Sequence, residues 1–237
     1  AARCIEVPRH ANFSLDMESI RKAVKAYNPK IFFITSPNNP DGSIVPPKVM
    51  DELLALPTLI VLDEAYIEFA GENLGADLSH IREVPTRENL VVLRTFSKWA
   101  GLAGLRIGYG AFPLWLMPTL WKSKQPYNVN VAASVAAQVS LEHVDELTYV
   151  VDLLKDERER LIQFLEKIPY LKPYPTKSNF ILCQAFGCDA GELKSQLAQE
   201  NGIFIRYFNK PRLRDHIRIS VGRPEDTDVL VRALKSF

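Results

Sequence analysis

Three short apolar runs constrain this 237-residue chain more than any other feature: Lys30–Thr35 (KIFFIT), Leu59–Leu62 (LIVL) and Val91–Leu93 (VVL). Each is too short for a helix, rich in branched apolar residues and closed at its carboxyl end by a polar cluster. The pattern reads as buried strands of a parallel sheet, with Lys30–Thr35 expected to be covered on both faces. The clusters are Asn38/Asn39 in the turn-rich segment SPNNPDG (36–42), Asp63/Tyr66, and Ser97/Lys98. Between the runs the period becomes helical. Residues 14–27 carry Met17, Ile20, Ala23, Val24 and Tyr27 at helical spacing behind Ser14 as a cap, and Pro46-Pro47 opens a second helix to about Leu56. Strand–helix alternation is the α/β signature, and ligands of open α/β sheets sit beyond the carboxyl ends of the strands. The three clusters are therefore expected to face one crevice.

After Val91–Leu93 the chain passes Thr95, Ser97 and Lys98, and then glycines at 101, 104, 108 and 110 that frame a second apolar run, Leu105–Tyr109. A short helix is expected near Leu78–Arg82, another from Pro113 to about Lys122, and a small-residue helix over Val131–His143. Val144–Ile168 is a long amphipathic pattern that reads as a connector. The domain boundary is placed at its start, giving a large α/β domain over 1–145 and a connecting helix with a small α+β domain over 146–237. In the latter, strands Asn179–Cys183, Ile203–Tyr207 and His216–Val221 alternate with helices Ala190–Glu200, stopped by Asn201-Gly202, and Glu225–Lys235. At the other end, Ile5–Pro8 reads as a strand.

Several function classes are disfavoured. Net charge is +1 with no long basic run, which argues against nucleic acid as a partner. Cys4, Cys183 and Cys188 lack metal-ligand spacing and are odd in number, and His10, His80, His143 and His216 are scattered, so no metal site or disulfide framework is expected. No apolar stretch is long enough to cross a bilayer, and no secretory leader is read at Ala1.

The clusters permit a specific chemistry. Lys98 can form an imine with an aldehyde, Asp63 can hold a positive charge such as a protonated pyridine nitrogen, and Asn39 and Tyr66 can donate to a phenolate oxygen. Thr95, Ser97 and Arg106 have the donors for a phosphate. Together these match the outline of pyridoxal phosphate. The plainer alternatives stay open at this point: a solvated loop lysine, a magnesium-binding or helix-capping Asp-Glu pair, a Ser-Lys hydrolase pair, and an asparagine that only shapes a turn.

Six segments carry a further signal: SPNNPDG (36–42), VLDEAYIEF (61–69), RTFSKWAGLAGLRIGYG (94–110), KQPYNVN (124–130), SNFIL (178–182) and IRISVG (217–222). In content, order and spacing the chain resembles the fold-type I pyridoxal-phosphate aminotransferases, and among them the histidinol-phosphate aminotransferases of plant and algal type. The resemblance implies a mostly parallel central sheet in a three-layer α/β/α domain with a smaller C-terminal α+β domain. It implies pyridoxal 5'-phosphate as cofactor and transfer of an amino group between glutamate and imidazole-acetol phosphate, with histidinol phosphate and 2-oxoglutarate as products. An aminotransferase for aromatic or other amino acids, or an inactive truncated fragment, is the alternative.

Residue by residue, Lys98 resembles the cofactor-bearing lysine and proton shuttle, Asp63 the partner of the pyridine nitrogen, and Asn39 and Tyr66 the donors to the phenolic oxygen. Thr95, Ser97 and Arg106 resemble the phosphate site. Arg218 resembles the arginine for the substrate carboxylate and Arg206 the one offered to the substrate phosphate, with Tyr127, Asn128 and Asn179 lining the cavity. His216 is expected to be structural. The family is expected to be homodimeric with shared sites, and plastidial in plants and algae or otherwise cytoplasmic. Its N-terminal arm, phosphate-cradling loop, ring-stacking aromatic and cross-subunit tyrosine are not found among these residues. Asp41 stands where many members have threonine and is expected to be a tolerated turn substitution.

Overall fold

Residues 2–237 are described in the computed structural model of the chain. Asp16 starts the first helix, its carboxylate accepting from the Ser19 backbone N–H at 2.9 Å. Helix α1 accordingly runs Met17–Tyr27. Ser14, expected as the cap, sits two residues too early, and its hydroxyl donates to Asn12 Oδ1 at 2.7 Å. Pro46-Pro47 does open a helix, α2 (Pro47–Leu54), with Pro47 at its first turn where a missing N–H costs nothing.

The three apolar runs are strands: β1 (Ile31–Thr35), β2 (Leu59–Asp63) and β3 (Leu90–Thr95), joined by β4 (Gly108–Ala111) in the order β1-β2-β3-β4. β1, β2 and β3 are parallel and β4 is antiparallel to β3, so the sheet is mixed. Register aligns Thr35 with Asp63 and Asp63 with Leu93, which brings the three carboxyl ends abreast. On one face, Ile34, Ile60, Leu62, Leu90 and Val92 pack against Ile20 and Val24 of α1 and Met50, Leu53 and Leu54 of α2.

Two expectations fail at the β1 side. β1 is not covered on both faces: Phe33 is 71% and Ile31 47% exposed, because β1 is an edge strand and the described residues supply no layer over that side. Ile5–Pro8 forms no strand, since a strand exists only in a ladder and, among the described residues, no backbone partner pairs with it. A cavity of about 900 Å³ lies instead between residues 2–7, α1 and β1, and its inner end reaches Thr35, Asn38 and Asp63.

Short 3₁₀ turns at Ile67–Phe69 and Ile81–Thr86 fill the connection from β2 to β3, the second lying later than the helix expected at Leu78–Arg82. After β4 come α3 (Met117–Ser123), α4 (Val131–Glu142) and α5 (Val144–Leu165). A second sheet follows, antiparallel throughout, from β5 (Leu171–Pro173), β6 (Phe180–Ala185), β7 (Arg206–Tyr207) and β8 (His216–Ser220) in the order β5-β6-β8-β7. The expected strand Ile203–Tyr207 shrinks to two residues, and β5 has no counterpart among the expected strands. Helices α6 (Ala190–Asn201) and α7 (Pro224–Lys235) pack on this sheet around Leu193, Leu197, Leu230 and Leu234.

Helix α5 belongs to both halves. Val151 packs with Phe69, Phe96 and Trp99, whereas Leu161 and Leu165 lie in the core of the second sheet. Between them Arg158 is buried, and its Nη1 donates to Phe69 O at 2.9 Å and Ser178 O at 3.1 Å. One guanidinium thus satisfies carbonyls from both sides, and an unpaired buried carbonyl would be costly there. Among the described residues no helix is long and apolar enough to cross a membrane.

Candidate active site

The loop after β1 is knitted by its own side chains. Asn38, buried, accepts from Thr35 Oγ1 and donates from Nδ2 to Asp41, whose other oxygen accepts from the Ser43 N–H at 3.1 Å. Asp41 is only 2% exposed, so it organises the turn from within. Gly42 closes the turn at φ +74°, with Thr176 so near that a Cβ would lie 1.8 Å from its Oγ1. The Lys177 N–H donates to Gly42 O at 2.8 Å. This rigid loop presents Asn39, exposed, toward the second sheet, where its Oδ1 accepts from Arg218 Nη1 at 2.8 Å. Its Nδ2 is left to donate elsewhere.

At the end of β2, Asp63 is half-buried and accepts the Ala65 N–H at 2.9 Å, an Asx-type turn that redirects the chain. Tyr66 follows, its ring edge-on to Phe180 of β6 with centroids 5.1 Å apart. Beneath it lies a cluster that the sequence reading missed. Glu64 is 1% exposed and accepts from Ser79 Oγ at 2.6 Å, the His80 N–H at 2.8 Å and Arg94 Nε at 3.1 Å. Glu68, also buried, accepts from Arg94 Nη1 at 3.3 Å and keeps Oε2 without a partner. Burial pushes the Glu68 carboxyl up to about 7, with Glu64 adding to the rise and Arg94 opposing it. A Glu-x-x-x-Glu pair with one arginine on the neighbouring strand was the available signal.

At the end of β3, Thr95 Oγ1 accepts the Ser97 N–H at 3.0 Å and lies 2.9 Å from Ser97 Oγ. Phe96 and Trp99 are buried on either side with ring centroids 5.5 Å apart, which leaves Ser97 half-buried and Lys98 exposed between two apolar anchors. Lys98 Nζ stands 5.5 Å from the centroid of the Tyr66 ring. Arg106 is exposed and takes the left-handed conformation at φ +56°, with Nη1 donating to Ala103 O at 2.9 Å.

The second sheet contributes two arginines. Arg206 and Arg218 are directly opposed across β7 and β8. Arg218 rests on Phe180 with its guanidinium 4.6 Å from the ring centroid, while Arg206 is exposed and lies over Phe208 at 5.5 Å. Arg218 Nε is buried without a partner. Burial, and then the neighbouring Arg206 charge, pull the Arg218 guanidinium below its ordinary value, with Tyr66 acting against them. Two adjacent cations with a buried orphan donor form a place for an anion. Asn179, half-buried, immediately precedes β6 and accepts the Val221 N–H at its carbonyl, 2.9 Å away.

A continuous line of contacts therefore runs from Lys98 through Tyr66 and Phe180 to Arg218 and Asn39, joining five distant parts of the sequence. Not every expected residue joins it. Tyr127 is 98% exposed and Asn128 is exposed beside it, so this loop touches nothing in the cleft. The loop is held only at its end, where Asn130 caps α4 and donates to Leu105 O at 3.2 Å. His216 is buried against Asp215 at 2.7 Å and Tyr174 at 3.3 Å, in a packing role.

Comparison with known proteins gives a consistent picture. The family model described as aminotransferase class I and II matches residues 1–234. The chain is 51% identical over its whole length to the chloroplastic histidinol-phosphate aminotransferase of Nicotiana tabacum, covering 56% of that protein. It is 48% identical to the histidinol-phosphate aminotransferase of Roseiflexus castenholzii, over 99% of this chain and 62% of that one. The crystal structure of histidinol-phosphate aminotransferase from Sinorhizobium meliloti in complex with pyridoxal-5'-phosphate superimposes with a TM-score of 0.86 at 31% identity, over 99% of this chain and 65% of that chain. The chain thus spans little more than half the length of the curated plant relative it matches.

Proposed function

Because the chain belongs to the class I and II aminotransferase family, we propose that it forms the lysine-bearing part of a pyridoxal-phosphate-dependent histidinol-phosphate aminotransferase. The reaction interconverts histidinol phosphate plus 2-oxoglutarate with imidazole-acetol phosphate plus glutamate. The 51% identity to the Nicotiana tabacum enzyme supports the substrate. The observation that carries the reading is the Lys98–Tyr66–Phe180–Arg218–Asn39 cleft, with its orphan Arg218 Nε.

The donor set fits the cofactor. Asn39 Nδ2 and the Tyr66 hydroxyl are donors for its phenolic oxygen, Asp63 is the carboxylate for its ring nitrogen, and Thr95, Ser97 and Arg106 are the groups for its phosphate. When bound, pyridoxal 5'-phosphate supplies a ring that accepts the electron pair left as a proton leaves the amino-bearing carbon. Lys98 would hold the cofactor and, through Nζ, move that proton, its backbone fixed by the buried Phe96 and Trp99 on either side. Asp63 keeps a positive charge on the ring nitrogen by pairing with it. Phe180 holds Arg218 in place, so its fork is pre-aimed at a carboxylate. Arg206, opposite Arg218 on β7, takes the substrate phosphate. Both amino donors are anionic, and one cationic pair serves them in turn. Asn179, beside Phe180, completes the cavity from the second sheet.

The same reading extends to organisation. The chain comprises a fold-type I large domain over 1–145 and, over 146–237, a small C-terminal domain, with α5 crossing the boundary as the joint. The exposed apolar side chains of Trp115, Trp121, Val131 and Val135 suit a homodimer with shared sites, and the chloroplastic plant relatives support a plastid location.

The test is an absorbance spectrum of the protein with added pyridoxal 5'-phosphate, before and after glutamate. A visible band is expected, lost on glutamate addition and restored by imidazole-acetol phosphate better than by phenylpyruvate. Lys98→Ala is expected to lack the band and to lose at least about 10³-fold in rate. Cofactor bound equally well by Lys98→Ala, with the same spectrum, would end the proposal.

A further inference from the structure

Tyr66 reaches the cleft from a segment that one guanidinium grips on both sides. Arg94 places Nε 3.1 Å from Glu64 and Nη1 3.3 Å from Glu68, which are the residues two before and two after Tyr66. The side chains of Arg94, Glu64 and Glu68 are 10%, 1% and 2% exposed. Arg94 lies on β3, four residues before Lys98. The same arginine therefore touches both flanks of Tyr66 and sits on the strand that delivers the lysine.

We propose that Arg94 is a positioning residue: by holding Glu64 and Glu68 it sets where Tyr66 stands against Lys98, and so aims the Tyr66 hydroxyl at the cofactor's phenolic oxygen. The inference rests on the cofactor reading given above.

Two observations separate this role from simple stabilisation. The strand ends are already tied by backbone, since the Glu64 N–H donates to Leu93 O at 2.9 Å. Arg94 acts over residues 64–68, where the ladder has ended and the backbone continues only in 3₁₀ turn bonds. Two buried carboxylates sharing one guanidinium are also a poor stabilising device, because the desolvation they pay is only partly offset. Glu64 does not depend on Arg94 for satisfaction, having Ser79 and His80 as well. Glu68 has only Arg94 as a side-chain partner and an unpaired Oε2. Tyr109 of β4, 43% exposed, is a further titratable neighbour of Arg94, Glu64 and Glu68, and partial burial pushes its phenol up. What the arrangement does secure is geometry: a planar fork spans two anchors that an ammonium cannot span.

The experiment follows the pH midpoint of the visible band of protein reconstituted with pyridoxal 5'-phosphate. Tyr66→Phe removes a donor to a negative oxygen and is expected to raise the midpoint by about one pH unit. Arg94→Lys keeps the charge, so a through-space effect is unchanged. It is expected to raise the midpoint in the same direction by at least half as much. The double variant is expected to show no further shift than Tyr66→Phe alone. A wild-type midpoint in Arg94→Lys, or shifts that add in the double variant, would overturn the inference while leaving the cofactor reading intact. If circular dichroism shows Arg94→Lys unfolded, Glu68→Leu deletes one anchor and is held to the same criteria. A wild-type protein with no visible band would overturn the cofactor reading, and this inference with it.

Discussion

Replacing Glu68 by glutamine should change how stability depends on pH, and the size of the change follows from its surroundings. Burial raises the Glu68 carboxyl from 4.5 to about 7 in the folded protein. The folded state therefore binds this proton more tightly than the unfolded chain does. Its contribution is fully present below about pH 4.5 and is lost as pH rises through about 7. At about 1.4 kcal/mol per unit, a rise of this size corresponds to a loss of roughly 3 kcal/mol between pH 4.5 and 8. About 2 kcal/mol of that is already gone by pH 6. Glu68→Gln keeps an acceptor for Arg94 Nη1 and cannot ionise. It places an amide N–H₂ where Oε2 now has no partner, at a pH-independent cost of about 1–3 kcal/mol. The two effects separate by their pH profiles. Urea denaturation of both proteins at pH 5, 6, 7 and 8 should show wild type losing stability relative to the variant across the series, with the difference levelling above pH 7.5. Parallel profiles, offset by a constant, would refute the reasoning and mean that Glu68 stays ionised throughout.

Other outcomes follow from the site. Arg218→Met, which keeps the packing on Phe180 and removes the fork, should lower kcat/KM for glutamate by roughly 10- to 150-fold, since a hydrogen bond to a charged group is lost; steady-state kinetics at fixed acceptor checks this. Arg206→Gln should weaken the phosphorylated substrate at least about tenfold more than an unphosphorylated acceptor, read as a ratio of kcat/KM values. Gly42→Ala should destabilise by roughly 1–3 kcal/mol in urea melts. There φ is +74°, and Thr176 cannot clear the new Cβ by rotating, because its own Cβ would lie 2.7 Å away.

The parts of the fold that could be read from the chain were those governed by local rules. β-branched apolar runs, Pro46-Pro47 and Asn201-Gly202 carry their meaning within a few residues, and the corresponding elements lie within a residue or two of expectation. The failures share a cause. Ile5–Pro8 has strand composition but no ladder, and Lys30–Thr35 has the composition of a doubly covered strand but lies at an edge with Phe33 open. Neither property is local, because each depends on what lies alongside. Ser14 and Asp16 are both competent caps, and only the chain's approach, with Asn12 taking the Ser14 hydroxyl, decides between them.

By itself, the order of residues determined that polar groups would stand at the carboxyl ends of three parallel strands, and which chemistry those groups could perform. Asp63, Tyr66, Ser97 and Lys98 follow from that rule because strand ends share an edge. Only the tertiary structure decided that Arg218 would lie on Phe180 and bond to Asn39, 179 residues away in the chain. It also decided that Arg94 would meet both Glu64 and Glu68, and that Tyr127 would stand apart in solvent. The physical reason is that periodicity reports which face of an element is apolar. The partner of a buried charge is set by how separate elements pack, and no single stretch of sequence carries that information.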